Sequence, residues 1–285
     1  MQLHPECIVC LFQQALRLAK LTTSDPHQQW EILHRLTKEI AELPITTIQV
    51  EVAGKIRQII AETTGETDPY HEQKKYYNDI ALQLYPRLQN LVEESLDPLL
   101  SAIRIAIAGN IIDFGVGDTF DVEKTVEESL TQEFAICDYS RFQQQLKEAK
   151  TILYLADNTG EIVFDRLLID TLQKQGKQVN VAVRGAPVLN DATLEDARYI
   201  GLETQCHVIS NGAALPGTVL SETSSLFQQY FHQADLIIAK GQGNFEGLSQ
   251  VKAPLNFLLK AKCEPIAREL GVAVGSMVFY QARDD

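Results

Sequence analysis

The chain has 285 residues, 45% of them hydrophobic and 22% charged, a balance ordinary for a globular protein with one large or two modest cores. Its 38 acidic residues outnumber 25 basic ones, for a formal net charge of −13, which disfavours nucleic acid and anionic membranes as partners. A small anionic substrate stays open, because a local site or a bound cation can oppose the global field. No apolar run reaches the length of a membrane span, residues 1–10 have neither a basic start nor an apolar signal core, and the five cysteines (Cys7, Cys10, Cys137, Cys206, Cys263) are too sparse for a disulfide scaffold. The expectation is a reduced, cytoplasmic protein.

From the start to residue 149 the helical period dominates. After Asp25-Pro26, Trp30, Leu33, Leu36 and Ile40 recur at three- and four-residue spacing. Asp25 suits an N-cap and Pro26 the first helical position, where no amide partner is lost. A helix over 70–91 carries Tyr77, Ala81, Leu84 and Leu88 on one face, and Asp97-Pro98 repeats the start signal before Leu99, Ile103 and Ala106. Residues 1–149 therefore read as an all-helical subdomain, a cap over a cleft.

After Lys150 short apolar runs appear at 151–156, 178–183, 206–209, 235–239 and 272–279, separated by amphipathic stretches at 161–175, 193–200 and 223–233. Strands alternating with helices predict an α/β, Rossmann-like, mostly parallel sheet over 150–285, covered on both faces. Ligands of such sheets bind beyond the carboxyl ends of the strands.

Polar residues gather at three of those ends: Asp157-Asn158-Thr159-Gly160-Glu161, Arg184-Gly185 with Asn190-Asp191, and Lys240-Gly241-Gln242-Gly243-Asn244. Asp157, Asn158 and Asp191 offer hard oxygen ligands of the kind that suit Mg²⁺ or Mn²⁺. Two carboxylates about 4 Å apart repel by roughly 4 kcal/mol at an effective dielectric near 20, and a divalent cation reverses that sign. Lys240 adds a positive charge, and the small residues beside it admit backbone amides to an oxyanion. Metal, cation and amides together neutralise phosphoryl oxygens during transfer to water. Each segment taken singly also serves as an ordinary turn or N-cap. A further polar pair, Asn110 and Asp113, interrupts the apolar stretch 103–114, and its members must find partners or face a cavity. Asp68-Pro69-Tyr70 with Lys74 reads first as a helix start and second as a substrate contact.

Two motifs fail. Gly241-Gln242-Gly243-Asn244-Phe245-Glu246 has Glu where a dinucleotide fingerprint needs its third glycine, and no Gly-Lys-Ser/Thr phosphate loop occurs. The six histidines show no metal-ligand spacing.

The ordered series Cys7-Ile8-Val9-Cys10, Asp68-Pro69-Tyr70, Gly109-Asn110 with Asp113, Asp157-Asn158-Thr159-Gly160-Glu161, Arg184-Gly185 with Asn190-Asp191, and Lys240-Gly241 with Asn244 resembles the metal-dependent damage-control phosphatases, within them the prokaryotic branch with an N-terminal Cys-x-x-Cys. The resemblance runs over residues 7–278. It implies a helical N-terminal subdomain on a Rossmann-like core, and a divalent ion (Mn²⁺, Mg²⁺, Co²⁺ or Ni²⁺) held by Asp157, Asn158 and Asp191. It also implies Lys240 facing a substrate phosphate, with Asn110, Asp113 and Asn244 lining the same cleft. Glu161 and Arg184 join them as expected substrate contacts. The implied activity is hydrolysis of small phosphorylated metabolites, sugar phosphates or damaged cofactor intermediates, with water or the Asp157 carboxylate attacking phosphorus. Two rivals are a non-enzymatic phospho-ligand binder and an S-adenosylmethionine-dependent carboxyl methyltransferase; the single glycine of 157–160 makes a poor nucleotide loop for the latter. Cys7 and Cys10 share a helix face at i, i+3, as a thiolate pair or as buried small hydrophobes, with Cys263 as a candidate third thiol.

Overall fold

Both Asp-Pro signals start helices. The Asp25 carboxylate accepts from His27 N at 2.9 Å at the head of α2 (Pro26–Ala41), and Asp97 Oδ1 accepts from Leu100 N at 3.0 Å at the head of α5 (Pro98–Gly109). Before and between them lie α1 (Pro5–Thr22), α3 (Gln49–Thr64) and α4 (His71–Glu93). The computed structural model describes residues 1–44, 46–109 and 130–282.

The helices divide by what they bury. α1, α2 and α3 close on a core of their own, with Leu11, Leu18, Ile32, Leu36, Ile56 and Ile60 at its centre. α4 and α5 bury Ala81, Leu88, Ile103 and Ala106 in a different core, against the sheet.

That sheet has seven strands: β1 (Phe134–Cys137), β2 (Thr151–Leu155), β3 (Gln178–Val183), β4 (His207–Ser210), β5 (Leu236–Lys240), β6 (Leu255–Lys260) and β7 (Met277–Gln281). Their order is β1-β7-β6-β5-β2-β3-β4. β6, β5, β2, β3 and β4 run parallel, whereas β7 is antiparallel to β6 and β1 is parallel to β7. The expected mostly parallel α/β sheet is present. It begins before the change in sequence character at Lys150, because β1 and α6 (Tyr139–Glu148) precede that point. β6 was not among the expected strands, and the run expected over 272–279 forms a strand only from Met277.

Between the strands lie α7 (Glu161–Lys174), α8 (Leu194–Tyr199), α9 (Ser225–Gln233), α10 (Gly241–Leu248) and α11 (Glu264–Leu270). Side chains alternate across a strand, and the two sheet faces show it. Ile152, Tyr154 and Ile238 pack with α4, α5 and α7, while Leu153, Leu155, Ile237 and Ala239 pack with Phe227, Phe231, Phe245 and Ile266. From β2 the chain moves outward through β3 and β4, then returns to pair β5 on the other flank of β2. This reversal opens a crevice at the carboxyl ends of β2, β3 and β5.

Candidate active site

The two loops that leave β2 and β3 are sewn together. Asn158 and Asp191 form an antiparallel β-bridge, Thr159 N donates to Asn190 O at 2.9 Å, and Ala192 N donates to Asp157 O at 2.8 Å. Asp157, Asn158 and Asp191 thus meet at one point, as their placement beyond neighbouring strand ends predicts. All three line a cleft of about 310 Å³ together with Asn190, Gln242 and Glu246 from the sheet half and Gln13, Arg17, Gln49 and Tyr70 from the helical half.

Arg184, the first residue after β3, joins the two carboxylates. Its Nε donates to Asp191 Oδ2 at 2.6 Å and its Nη2 to Asp157 Oδ1 at 3.3 Å; Nη1 reaches Asn244 Oδ1 at 3.1 Å and Thr218 Oγ1 at 3.5 Å. The side chain is 2% exposed. The expectation that Arg184 contacts substrate is corrected: its guanidinium is the buried counter-cation of the carboxylate pair. Asn244 is corrected likewise. It is fully buried, accepts from Arg184 and Thr218, and donates to Lys240 O at 2.8 Å and Ala156 O at 3.3 Å. It pins the start of α10 to the end of β2 and does not line the cleft.

Burial is the first cause that pushes the Asp191 carboxyl up to about 7; Arg184 opposes the shift and Asp157 adds to it. Asp157 sits against the first turn of α10. A Cβ on Gly241 would lie 1.9 Å from Asp157 Oδ2, and Gly241 has φ +74°. Only glycine lets this carboxylate rest on a helix N-terminus, where the backbone dipole favours negative charge.

Lys240, the last residue of β5, departs from expectation. Its Nζ is fully buried and donates to Ala106 O at 2.8 Å, Glu161 Oε1 at 2.5 Å and Asp165 Oδ1 at 2.5 Å. It faces α5 and α7 and not the cleft, because it shares the sheet face of Ile238, two residues earlier. Glu161, also expected at the substrate, is fully buried in the same cluster. Burial drives its carboxyl up to about 8 against the pull of Lys240. Asp165 is raised for the same reason, and its Oδ2 has no hydrogen-bond partner among the described residues. Burial opposes the Lys240 charge, but Asp165 and Glu161 hold its pKa above the ordinary lysine value. Asn110 and Asp113 lie outside the described residues.

Four participants were missed in the sequence: Asp165, Glu246, Asn78 and Asp196. Glu246 is 3% exposed on the cleft wall, and burial raises its carboxyl to about 8. Lys74, first read as part of a helix start, pairs with Asp68 at 3.0 Å and Asp196 at 3.2 Å.

The donor set fits a hard divalent cation. Two carboxylates and a carboxamide converge on the cleft, and the proton that burial forces toward Asp191 is what a cation displaces. Asn158 Nδ2 is turned toward Asp157 Oδ2 at 3.0 Å and Glu161 Oε2 at 3.4 Å; ligation requires its Oδ1 in that direction, an amide flip of the side chain. No group of three His, Cys, Asp or Glu residues suited to a metal occurs among the described residues, so the set rests on the amide of Asn158. The same finding counts against a thiolate metal centre at Cys7, Cys10 and Cys263. Burial raises the Cys7 and Cys263 thiols above the ordinary cysteine value, which also disfavours a reactive thiolate at those two positions.

A mostly parallel sheet with polar residues at the topological switch point, under a helical layer, defines an α/β protein with a small-ligand cleft. The comparisons narrow this class. Residues 3–278 match the model of the damage-control phosphatase ARMT1-like domain, and the chain belongs to that family. It is 35% identical to a damage-control phosphatase of Archaeoglobus fulgidus, over 98% of each chain. It is 34% identical to a damage-control phosphatase of Pyrococcus horikoshii, over 98% of this chain and 97% of that one. It is also 34% identical to an uncharacterized protein of Methanocaldococcus jannaschii, over 98% and 95%. The crystal structure of a DUF89 family protein from Pyrococcus horikoshii superposes with a TM-score of 0.90, covering 99% of this chain and 100% of that one. No helix among the described residues is long and apolar enough to cross a membrane.

Proposed function

We propose that this protein is a divalent-metal-dependent phosphatase of small phosphorylated metabolites, sugar phosphates or damaged cofactor intermediates. The observation that carries the reading is the meeting of Asp157, Asn158 and Asp191 on one cleft at the switch point of the sheet. The relatives named as damage-control phosphatases support it. Asp157, Asn158 and Asp191 would hold Mn²⁺, Mg²⁺, Co²⁺ or Ni²⁺, and the ion when bound supplies Lewis-acid polarisation of the phosphoryl oxygens.

The chain's own residues supply the rest. Arg184 fixes the facing edges of both carboxylates. The first turn of α10, with Gln242 and Gly243 in the cleft wall, offers amide dipoles to a phosphoryl group. Arg17 and Lys262 supply cationic side chains to the same cleft. The attacking oxygen, from water or from Asp157, forms a new bond to phosphorus as the ester P–O bond breaks and the departing oxygen takes up a proton. If Asp157 attacks, water then displaces it from phosphorus, releasing phosphate and restoring the carboxylate.

The test is phosphate release from a panel of phosphate esters with Mn²⁺, Co²⁺, Ni²⁺ or Mg²⁺. Turnover that a chelator abolishes is the expected result. Binding of the esters without turnover under all four metals overturns it in favour of a binding protein. Rapid acid quenching during turnover separates the nucleophiles, because only attack by Asp157 forms a covalent aspartyl phosphate, which hydroxylamine cleaves.

A further inference from the structure

Two buried polar residues on α4 have no part in the chemistry proposed above. Lys74 and Asn78 are 3% and 0% exposed. They stand at i, i+4, on one helix face, in line with Ala81, Leu88 and Val92, which α4 also buries. Each one reaches a different loop of the site.

Asn78 Oδ1 accepts from Gly160 N at 2.7 Å, both groups buried. Gly160 is two residues past Asn158, has φ +73°, and is the N-cap of α7. It lacks a side-chain cap of its own, so the bond from α4, which packs beside α7 on the same sheet face, supports this turn. Lys74 Nζ donates to Asp196 Oδ2 at 3.2 Å and ion-pairs with Asp68 Oδ2 at 3.0 Å. The same Asp196 Oδ2 accepts from Thr193 N at 2.9 Å and Thr193 Oγ1 at 2.7 Å. Thr193 follows Asp191 by two residues. One helix therefore grips the loop after β2 through Asn78 and the loop after β3 through Lys74 and Asp196. Between these grips the loops are joined by the Asn158–Asp191 bridge.

We propose that Lys74 and Asn78 are positioning residues. They clamp the two loops at the spacing that divalent-ion coordination by Asp157, Asn158 and Asp191 requires, and so make metal affinity depend on the docking of α4. This deepens the metal-dependent reading and rests on it. Polar groups behind metal ligands set ligand orientation, and their loss costs roughly 10–100-fold in metal affinity or activity. A buried cation with two carboxylates is an expensive arrangement for stability alone, which fits a geometric role.

The experiment compares wild type with Lys74→Met, Asn78→Ala and the double variant Lys74→Met/Asp196→Asn. The double variant avoids a bare carboxylate at Asp196 and keeps an acceptor for Thr193, in case Lys74→Met alone does not fold. Mn²⁺ dissociation constants are read from the spectrum of free Mn²⁺, and hydrogen exchange is followed over 157–161 and 190–196 without metal. The expected result is Mn²⁺ binding weakened about 10–100-fold and faster exchange in both loops, with KM for the phosphate ester unchanged at saturating Mn²⁺. Folded variants with wild-type Mn²⁺ affinity overturn the clamp, as does unchanged exchange in both loops of Asn78→Ala. If wild type itself binds no Mn²⁺, the metal-dependent reading falls and the clamp's link to metal affinity falls with it; the exchange arm then reports only the mechanical grip on the loops.

Discussion

Two buried clusters, each of one cation and two carboxylates, sit behind strand ends on either side of β2. At the end of β5, Lys240 is enclosed by Glu161, Asp165 and the Ala106 carbonyl, with no surface on the cleft. At the end of β3, Arg184 holds Asp157 and Asp191, and both carboxylates border the cleft. The chemical inventory is the same; the exposure is not. A sealed cluster compensates its own charges and fastens α5 and α7 to the sheet. An open one keeps carboxylate surface for a ligand. Charge type therefore does not identify the functional cluster, whereas the sheet face on which the cation lies does.

The comparison breaks most sharply on activity. Replacing Asp157 or Asp191 by Ala should lower metal-dependent phosphate release by about a thousandfold or more with the far-ultraviolet circular dichroism unchanged. Wild-type turnover in either variant removes that residue from the open cluster's chemistry. Lys240→Met should act on stability, by about 3–5 kcal/mol in chemical denaturation, since it strands two buried carboxylates. Saturating Mn²⁺ should stabilise this variant and wild type alike, so the deficit between them stays. Arg184→Met also strands two carboxylates, but in reach of a cation. Its deficit relative to wild type at the same Mn²⁺ concentration should therefore shrink as Mn²⁺ is added, because the ion replaces the lost guanidinium beside both carboxylates. Deficits relative to wild type that shrink equally in the two variants, or in neither, erase the distinction between closed and open.

Much of this was legible in the sequence. Asp157 and Asp191 follow apolar runs that become adjacent parallel strands, so the topology alone brings them together. Asp25-Pro26 and Asp97-Pro98 start helices because the cap and the ring act locally. The direction of Lys240 was harder. It follows from period-two alternation once Ile238 is known to face α5 and α7, and that face is fixed by helices distant in sequence. Arg184 and Asn244 lie among functional residues in the chain and support them from behind, a distinction of depth that a one-dimensional pattern does not carry. Strand β6 escaped notice because buried Asn256 interrupts its apolar run. In α4, Lys74 and Asn78 were visible at i, i+4 ahead of Ala81, but a lysine and an asparagine in line with an apolar face announce a buried polar network only when partners for both exist.

The smallest expected effect concerns Glu246, which shares the cleft wall with the open cluster yet touches neither carboxylate through a described hydrogen bond. Its carboxyl is raised from the ordinary 4.5 to about 8, chiefly by burial; the Met1 ammonium opposes the shift and Asp157 adds to it. A folded-state pKa above the unfolded one means that the native state holds the proton more tightly. The stability this gives is complete below pH about 4.5 and is lost as the pH rises through about 8. Glu246→Gln keeps the neutral shape and cannot lose a proton. Its unfolding free energy should therefore match wild type near pH 5 and exceed it at pH 9, by on the order of 1–3 kcal/mol. Asp191, raised to about 7, titrates in the same range, so the two contributions must be separated. Saturating Mn²⁺ should suppress the Asp191 part, because cation and proton compete for one carboxylate. It should leave the difference between wild type and Glu246→Gln standing. If Mn²⁺ removes that difference as well, Glu246 titrates as part of the metal cluster, and the open site extends to the wall of α10.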